Sequence, residues 1–260
     1  MSGAQNYFSY ETAAQRYARS RPYFHPLVIE KIRAYLQLEA PLSKALDVAC
    51  GTGQSAHALT AIARKVIGTD LSPEMLAQAL PHPQIEYLQS AAEAIPFPDA
   101  SFDLITVSLA FHWFDRSRFF AEVNRLLQPG AWLVIYNNYF SGVMQNNPGF
   151  QKWNNERYLS RFPTPARHNQ PVSDRDVEKY GLRFAQRETF ANDVRFSAAE
   201  LSAYLMTQSN VIAAVEQGTS TSEEVYQWLF DELHLIMGGQ QGVFPFGGYI
   251  WFLQSDSSPS

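Results

Sequence analysis

The middle of the chain alternates short apolar runs with stretches of helical periodicity. Residues 45–50 (ALDVAC) form an apolar run of strand length. Ser55, Leu59, Ile62 and Ala63 then recur at the spacing of one helix face, and residues 65–69 (KVIGT) are again strand-like. This pattern predicts a β-α-β unit. Ser72-Pro73-Glu74 opens the next helix with a capping hydroxyl, a proline at the first helical position and an acid in the first turn, and the pattern carries that helix to about Leu80. Further strands are predicted over 85–89, 102–108 and 132–136, with a helix over 117–127 that Pro129-Gly130 stops. Strands that alternate with helices pair in parallel, because parallel neighbours need a crossover and the helices supply it. The fold class is therefore α/β, and in such sheets a ligand sits outside the carboxyl ends of the strands, where strand order reverses.

The flanks read differently. Residues 8–38 predict two helices separated at Arg21-Pro22. Beyond Asn137 the pattern is mostly helical: Ser197 with Glu200 and Thr221 with Glu224 are capping boxes, and Gly238-Gly239 ends the second of these helices. Two extended segments, 182–190 and 243–253, are expected to pair as an antiparallel edge of the sheet. The expected organisation is one domain over 1–260: a helical cover over 1–40, a ligand-binding core over 44–138, and a second helical cover with two strands over 139–255. The tail SDSSPS from Ser255 has a disordered composition.

Composition narrows the function. Twenty Lys+Arg against 25 Asp+Glu give a net charge of −5, the wrong footprint for gathering a phosphate backbone, so nucleic acid is not expected as a partner. One cysteine, Cys50, permits no internal disulfide and no paired zinc spacing; it reads as a small buried hydrophobe, and no metal is expected. The longest apolar stretch, 104–114, is interrupted by Thr106, Ser108 and His112 and falls short of the roughly 18 residues needed to span a bilayer. The N-terminus has no apolar run before a small-residue cleavage site, so a cytoplasmic protein without membrane association is expected, monomeric or homodimeric, acting on a small molecule.

The segment LDVACGTGQSA runs from a strand through Gly51 and Gly53 into a helix, where glycines let the backbone turn sharply and admit a ligand closely. Asp47 lies at the strand end, and Asp70, 17 residues past Gly53, ends the next strand where a carboxylate can accept the hydroxyls of an adenosine ribose. The bland alternative is that Asp70 merely caps the helix begun at Ser72. A dinucleotide fingerprint would place a third glycine, or an alanine, where Ala56 stands. Asp47 disfavours a nearby pyrophosphate, yet a carboxylate there suits the ammonium of a methionine moiety.

DVACGTG, GTDLSPEML, AEAIPFPDASFDLIT and RLLQPGAWLVI, in that order and spacing, resemble the class I S-adenosylmethionine-dependent methyltransferases of the type 11 group. AFHWFD and YARSRPYF are similar to its trans-aconitate methyltransferase-like subgroup. The resemblance covers about residues 7–137 and implies a Rossmann-like seven-stranded sheet in the order 3-2-1-4-5-7-6 with strand 7 antiparallel. It further implies that Asp47, Ala49, Gly51 and Gly53 face the methionine part of S-adenosylmethionine, that Asp70 holds the ribose, and that Leu71 and Met75 lie against the adenine. Ala92 and Glu93 would read the adenine edge, and Ser108 would end strand 4 under the sulfonium. Tyr17 and Arg21 would lie on a segment that folds over the cofactor, Arg21 binding its carboxylate, with a solvated surface arginine as the alternative.

Methyl transfer is an in-line displacement that asks mainly for alignment and a dry pocket. His112 follows strand 4 at the open end of the sheet and is the candidate base for a hydroxyl acceptor, or a structural histidine; Trp113 is a candidate pocket wall or ordinary core. Trp153, Arg157, Tyr204, Gln208 and Trp228 are candidates for lining the acceptor site. The expected function is O-methylation of a carboxylate or hydroxyl on a small acceptor; an NAD(P)-dependent oxidoreductase and a non-catalytic S-adenosylmethionine-binding protein are the alternatives.

Overall fold

A computed structural model describes residues 11–164, 171–216, 218 and 220–256. These fall into two compact units: a helical unit of residues 11–22, 139–164 and 191–247, and a sheet unit of residues 23–138, 171–190 and 248–256.

The sheet has seven strands in the order β3-β2-β1-β4-β5-β7-β6. They are β1 (Leu42–Val48), β2 (Ala63–Asp70), β3 (Ile85–Gln89), β4 (Phe102–Ser108), β5 (Leu127–Phe140), β6 (Leu182–Phe196) and β7 (Gly242–Ser255). β1 pairs in parallel with β2 and β4, placing Asp47 beside Gly68 and Thr106. β4 pairs in parallel with β5, placing Ser108 beside Tyr136. The last four residues of β1 are all buried because helices cover both faces of the sheet. Successive side chains point to opposite faces, so Ala45 packs with Val28, Ile32 and Leu59 of α2 (His25–Tyr35) and α3 (Gln54–Leu59), while Leu46 joins Phe119, Val123 and Leu126 of α5 (Arg116–Leu126). β7 runs antiparallel to β5: the amide of Gly130 donates to Asp256 O at one end, and Gly248 abuts Asn137 at the other. The same rule holds against β6, since Asp256 N donates to Gly181 O and Gly248 meets Phe190. The two C-terminal extended segments are thus strands of the sheet, in the expected order.

Several boundaries differ from expectation: β1 ends at Val48, α3 at Leu59 before Ile62 and Ala63, and β6 runs on to Phe196. The helix opened by Ser72 is only α4 (Pro73–Leu76), and Leu80 is 67% exposed. Pro81 pushes Leu80 out of the helical region, so the turn unwinds before reaching it. β5 begins at Leu127, so Pro129 and Gly130 open a strand; Gly130 takes φ +78 where the chain bends into the sheet. The tail also differs: Ser255 belongs to β7, its Oγ donating to Gln128 O at 2.8 Å, and residues 257–260 lie outside the described residues.

The helical unit contains α1 (Glu11–Ser20), α6 (Pro148–Trp153) running through a π turn at Asn154–Tyr158 into α7 (Leu159–Arg161), α9 (Ala198–Leu205), α10 (Ser209–Glu216) and α11 (Ser222–Met237). Its core joins Phe150, Trp153, Leu201, Tyr204, Leu229 and Phe244. Both capping boxes form as expected, with Ser197 and Thr221 each exchanging hydrogen bonds with Glu200 and Glu224, and Gly238 ends α11 at φ +60. In the sheet unit, α8 (Asp174–Glu178) carries a third box, Ser173 with Asp176.

Candidate functional site

The carboxyl ends of β1, β2 and β4 meet where the strand order reverses, all within the sheet unit. The turn after β1 needs its glycines. Gly51 and Gly53 take φ +57 and +79; a Cβ on Gly53 would lie 2.2 Å from the Tyr87 hydroxyl, and one on Gly51 2.9 Å from Met75 Cε. Two residues that are not glycine share the left-handed conformation at the same end of the sheet: Ala49 (φ +55) after β1 and Leu109 (φ +60) after β4. Each costs about 1–2 kcal/mol, strain of the kind that clusters at ligand sites.

Asp70 closes this turn. Its Oδ2 accepts the Gly51 amide at 2.8 Å and its Oδ1 the Ser72 amide at 2.9 Å, while Ser72 Oγ caps α4 by accepting from Met75 N. The carboxylate therefore braces the loop, with the Leu71 amide a third backbone donor toward it, and part of its acceptor capacity remains for a ligand. Burial raises Asp70 above the ordinary carboxylate range, against the backbone hydrogen bonds that lower it. Leu71, next to it, is 58% exposed, while Met75 is buried against Gly51. Ala92 is buried, and Glu93 Oε1 accepts the Asp115 amide at 3.0 Å, tying the loop after β3 to the start of α5.

Asp47 is fully buried on the face beneath the turn, and its two oxygens accept from the hydroxyls of Ser55 and Thr106. Burial pushes it up to about 7, the two hydroxyl bonds working the other way. On the same face His25 is buried with Nδ1 3.1 Å from the Tyr136 hydroxyl, and burial lowers it to about 3. The two shifts have opposite consequences. A raised carboxyl stabilises the fold when protonated, so its contribution is lost as pH rises from about 4 to 7; a lowered histidine destabilises the fold as pH falls from about 6.5 to 3. Each amounts to roughly 4 kcal/mol over its range, so they offset in wild type. Asp47→Asn is expected to unmask the histidine: its melting temperature should fall more steeply than that of wild type between pH 6.5 and 4, and parallel profiles would refute the assignment.

After β4, Leu109 N donates to Tyr136 O at 3.1 Å and the chain enters a one-turn 3₁₀ helix, Phe111–Trp113. Phe111 is buried, His112 and Trp113 are half-buried with ring centroids 4.6 Å apart, and Asp115 caps α5 through the amides of Ser117 and Arg118. The sheet unit thus brings together Asp47, Ala49, Gly51, Gly53, Asp70, Leu71, Met75, Ala92, Glu93, Ser108, His112 and Trp113. Tyr17 and Arg21 fall in the helical unit. Cys50 is buried, as expected, and burial pushes its thiol up, away from reactivity.

Sequence reasoning gave several residues of this site no role in it. Tyr87 lies against Gly53 and Gly68, and Ser55 and Thr106 hold Asp47. The hydroxyls of Thr52, Thr69 and Ser108 are buried with no hydrogen-bond partner among the described residues. A polar interruption of an apolar strand, at the end of the AEAIPFPDASFDLIT segment, was the visible signal for Thr106, and Ser108 was placed by the family resemblance.

Unpartnered hydroxyls at the strand ends, a glycine cradle and a carboxylate with acceptor positions to spare fit an adenosine bearing a polar amino-acid arm. They offer no cluster of cations for a pyrophosphate. Residues 46–135 match the family model of a methyltransferase domain of the type 11 group. A methyltransferase of Dictyostelium discoideum is 28% identical over 209 residues, 79% of this chain and 78% of the relative. The demethylmenaquinone methyltransferase of Chlorobaculum tepidum is 40% identical over 116 residues, 44% of this chain and 48% of that enzyme, so the match spans about half of it. A type II methyltransferase structure from Anaeromyxobacter dehalogenans shares the fold with a TM-score of 0.66, covering 93% of this chain and 99% of that one at 23% identity. The sheet order is that of the Rossmann-like methyltransferase fold. The family model, the relatives and the shared fold support a class I S-adenosylmethionine-dependent methyltransferase, with S-adenosylmethionine as its cofactor. Among the described residues no group of three or more His, Cys, Asp or Glu is placed to hold a metal, and no helix is long and apolar enough to cross a membrane.

Proposed function

We propose that this chain methylates an oxygen, carboxylate or hydroxyl, of a small-molecule acceptor, with His112 and Trp113 at the acceptor. The observation that carries the reading is the pairing of the glycine turn and Asp70 with the His112-Trp113 segment that follows strand β4, the neighbour of β1. When bound, the cofactor supplies an electrophilic methyl group on a sulfonium. Asp70 accepts ribose hydroxyls while bracing Gly51; Leu71 and Met75 offer apolar faces to the adenine, and Ala92 and the backbone at Glu93 its polar edge. Ala49, Gly51 and Gly53 receive the methionine arm, with Asp47 buried beneath them holding the Ser55 and Thr106 hydroxyls. Ser108, ending β4, offers its unpartnered hydroxyl beneath the reacting centre. Trp113 excludes water, and His112 orients the acceptor or takes its proton. A small acceptor fits the acidic net charge, which offers no basic surface for a nucleic acid.

The nicotinamide alternative is tested by melting. S-adenosylhomocysteine at 100 times its dissociation constant should stabilise the fold by about 2.7 kcal/mol, and NADH should leave it unchanged; the reverse would overturn the cofactor roles given to Ala49, Gly51, Gly53 and Asp70. Turnover of methyl-labelled cofactor against a pool of carboxylic acids, phenols, quinols and amines tests the acceptor. Label in quinol carbon or in amines alone would refute O-methylation, and no labelled product from any pool would favour a non-catalytic binding protein.

A further inference from the structure

The loop between β3 and β4 carries Ala92 and Glu93 and has no helix or strand of its own, only a bridge between Ala91 and Ala94. It is held by α5. At the N-cap of that helix the Asp115 amide donates to Glu93 Oε1 at 3.0 Å. Further along the helix, Glu122 and Arg125 reach the other half of the loop. Glu122 Oε1 accepts the Ile95 amide at 2.6 Å, and Arg125 donates to Ile95 O at 3.0 Å, to Phe97 O at 2.7 Å and to Asp99 Oδ1 at 2.8 Å. The same guanidinium grips the Glu122 carboxylate through Nε at 2.9 Å and Nη2 at 2.8 Å.

A guanidinium has five N–H donors, and in Arg125 all five are engaged. An ion pair three residues apart on a helix surface contributes little by itself. This one differs because the Glu122 side chain is 12% exposed and both partners are turned onto the backbone of a loop. The hydrogen bonds from Arg125 hold the Glu122 carboxyl below the ordinary carboxylate range, against the burial that raises it, so the clamp stays charged at neutral pH. Neither side chain is among the site residues described above.

We propose that Glu122 and Arg125 are positioning residues that fix the backbone of the loop after β3 in the shape that reads the edge of the cofactor's adenine, and so set the selectivity for adenine over other purines. The inference rests on the adenine contact proposed above for Ala92 and Glu93. Adenine offers an acceptor at N1 beside an amino donor on C6, and hypoxanthine offers the reverse, so backbone groups fixed to match one base are mismatched to the other. Ala91 and Ala92 have no side chain that could make up for a displaced backbone, which leaves that task to the clamp.

The test compares the binding of S-adenosylhomocysteine with that of S-inosylhomocysteine, its hypoxanthine counterpart, by calorimetry on the full chain. Arg125→Lys keeps the charge but cannot reach Ile95, Phe97 and Asp99 at once. Wild type should prefer the adenine compound about tenfold or more, and the variant should lose about three- to tenfold of that preference, the worth of one hydrogen bond. Should Arg125→Lys fail to fold, Glu122→Gln decides, because its amide oxygen can still accept the Ile95 amide while the ion pair is lost. Leu229→Ala, a cavity in the core of the helical unit, should lower the melting temperature and leave the preference unchanged. An undiminished preference in the folded clamp variants, or an equal loss in Leu229→Ala, would overturn the proposal and leave Glu122 and Arg125 as a brace of the fold. Wild type that binds S-adenosylhomocysteine and S-inosylhomocysteine alike would refute the adenine contact of Ala92 and Glu93 itself, and the proposal with it.

Discussion

Asp70→Ala should weaken S-adenosylhomocysteine binding about a hundredfold or more and also lower the melting temperature. The carboxylate accepts the Gly51 amide at 2.8 Å and the Ser72 amide at 2.9 Å, so its removal leaves two amides of the cradle without acceptors. A hydrogen bond to a charged group is worth roughly 1.5–3 kcal/mol, or about ten- to a hundredfold in affinity for each ribose hydroxyl lost. The loop effect adds to this, because Gly51 at φ +57 is held in place by that bond and its slackening disorders the approach to the ligand. Asp70→Asn separates the two roles: one amide oxygen keeps one of the backbone bonds, so stability should be largely recovered while affinity stays low. Calorimetry that finds wild-type affinity in a folded Asp70→Ala protein would leave Asp70 as a helix-and-loop brace alone.

The core sheet was readable from sequence because its strands are short, apolar on both faces and separated by helices with their own signals. The capping boxes at Ser197 and Thr221 were readable because each is a local exchange over three residues. The division into two units was not. Its boundaries pass through β5, β6 and β7 between residues 138 and 139, 190 and 191, and 247 and 248, inside strands whose patterns run on unbroken. Likewise α1 and α2 look like one helical cover in sequence but fall in different units on either side of Pro22. Gly51 and Gly53 announced a special backbone; Ala49 and Leu109, equally left-handed, did not, since nothing about an alanine or leucine signals that conformation. The hydroxyl bond from Thr106 to Asp47 joins residues 59 apart and exists only because β1 and β4 pair in that register, which no local rule reveals. Asp47 reads in sequence as a strand-end acid suited to an ammonium, yet it is wholly buried with both oxygens engaged by hydroxyls.

The acceptor's chemistry should be legible in His112→Asn. The segment is pinned on both sides, by buried Phe111 and by Asp115, which caps α5 and gives its amide to Glu93, so substitutions at 112 and 113 should leave the fold intact. A carboxylate acceptor is already an oxyanion at neutral pH and needs no proton removed; for it His112 orients, and the variant should keep most of its maximal rate. A hydroxyl acceptor must lose its proton as the new bond forms, so without the imidazole the rate should fall roughly 10²–10⁴-fold. The pH profile distinguishes loss of a base from loss of position, because only in the hydroxyl case should the wild-type rate rise with deprotonation of a single group that the variant lacks. Trp113→Ala should raise the acceptor KM in both cases and leave S-adenosylhomocysteine affinity nearly unchanged, since the ring packs against His112 and the core cluster that includes the α5 side chains. If both variants match wild type on the identified acceptor, the Phe111–Trp113 turn is structural only and the acceptor role proposed for His112 and Trp113 fails.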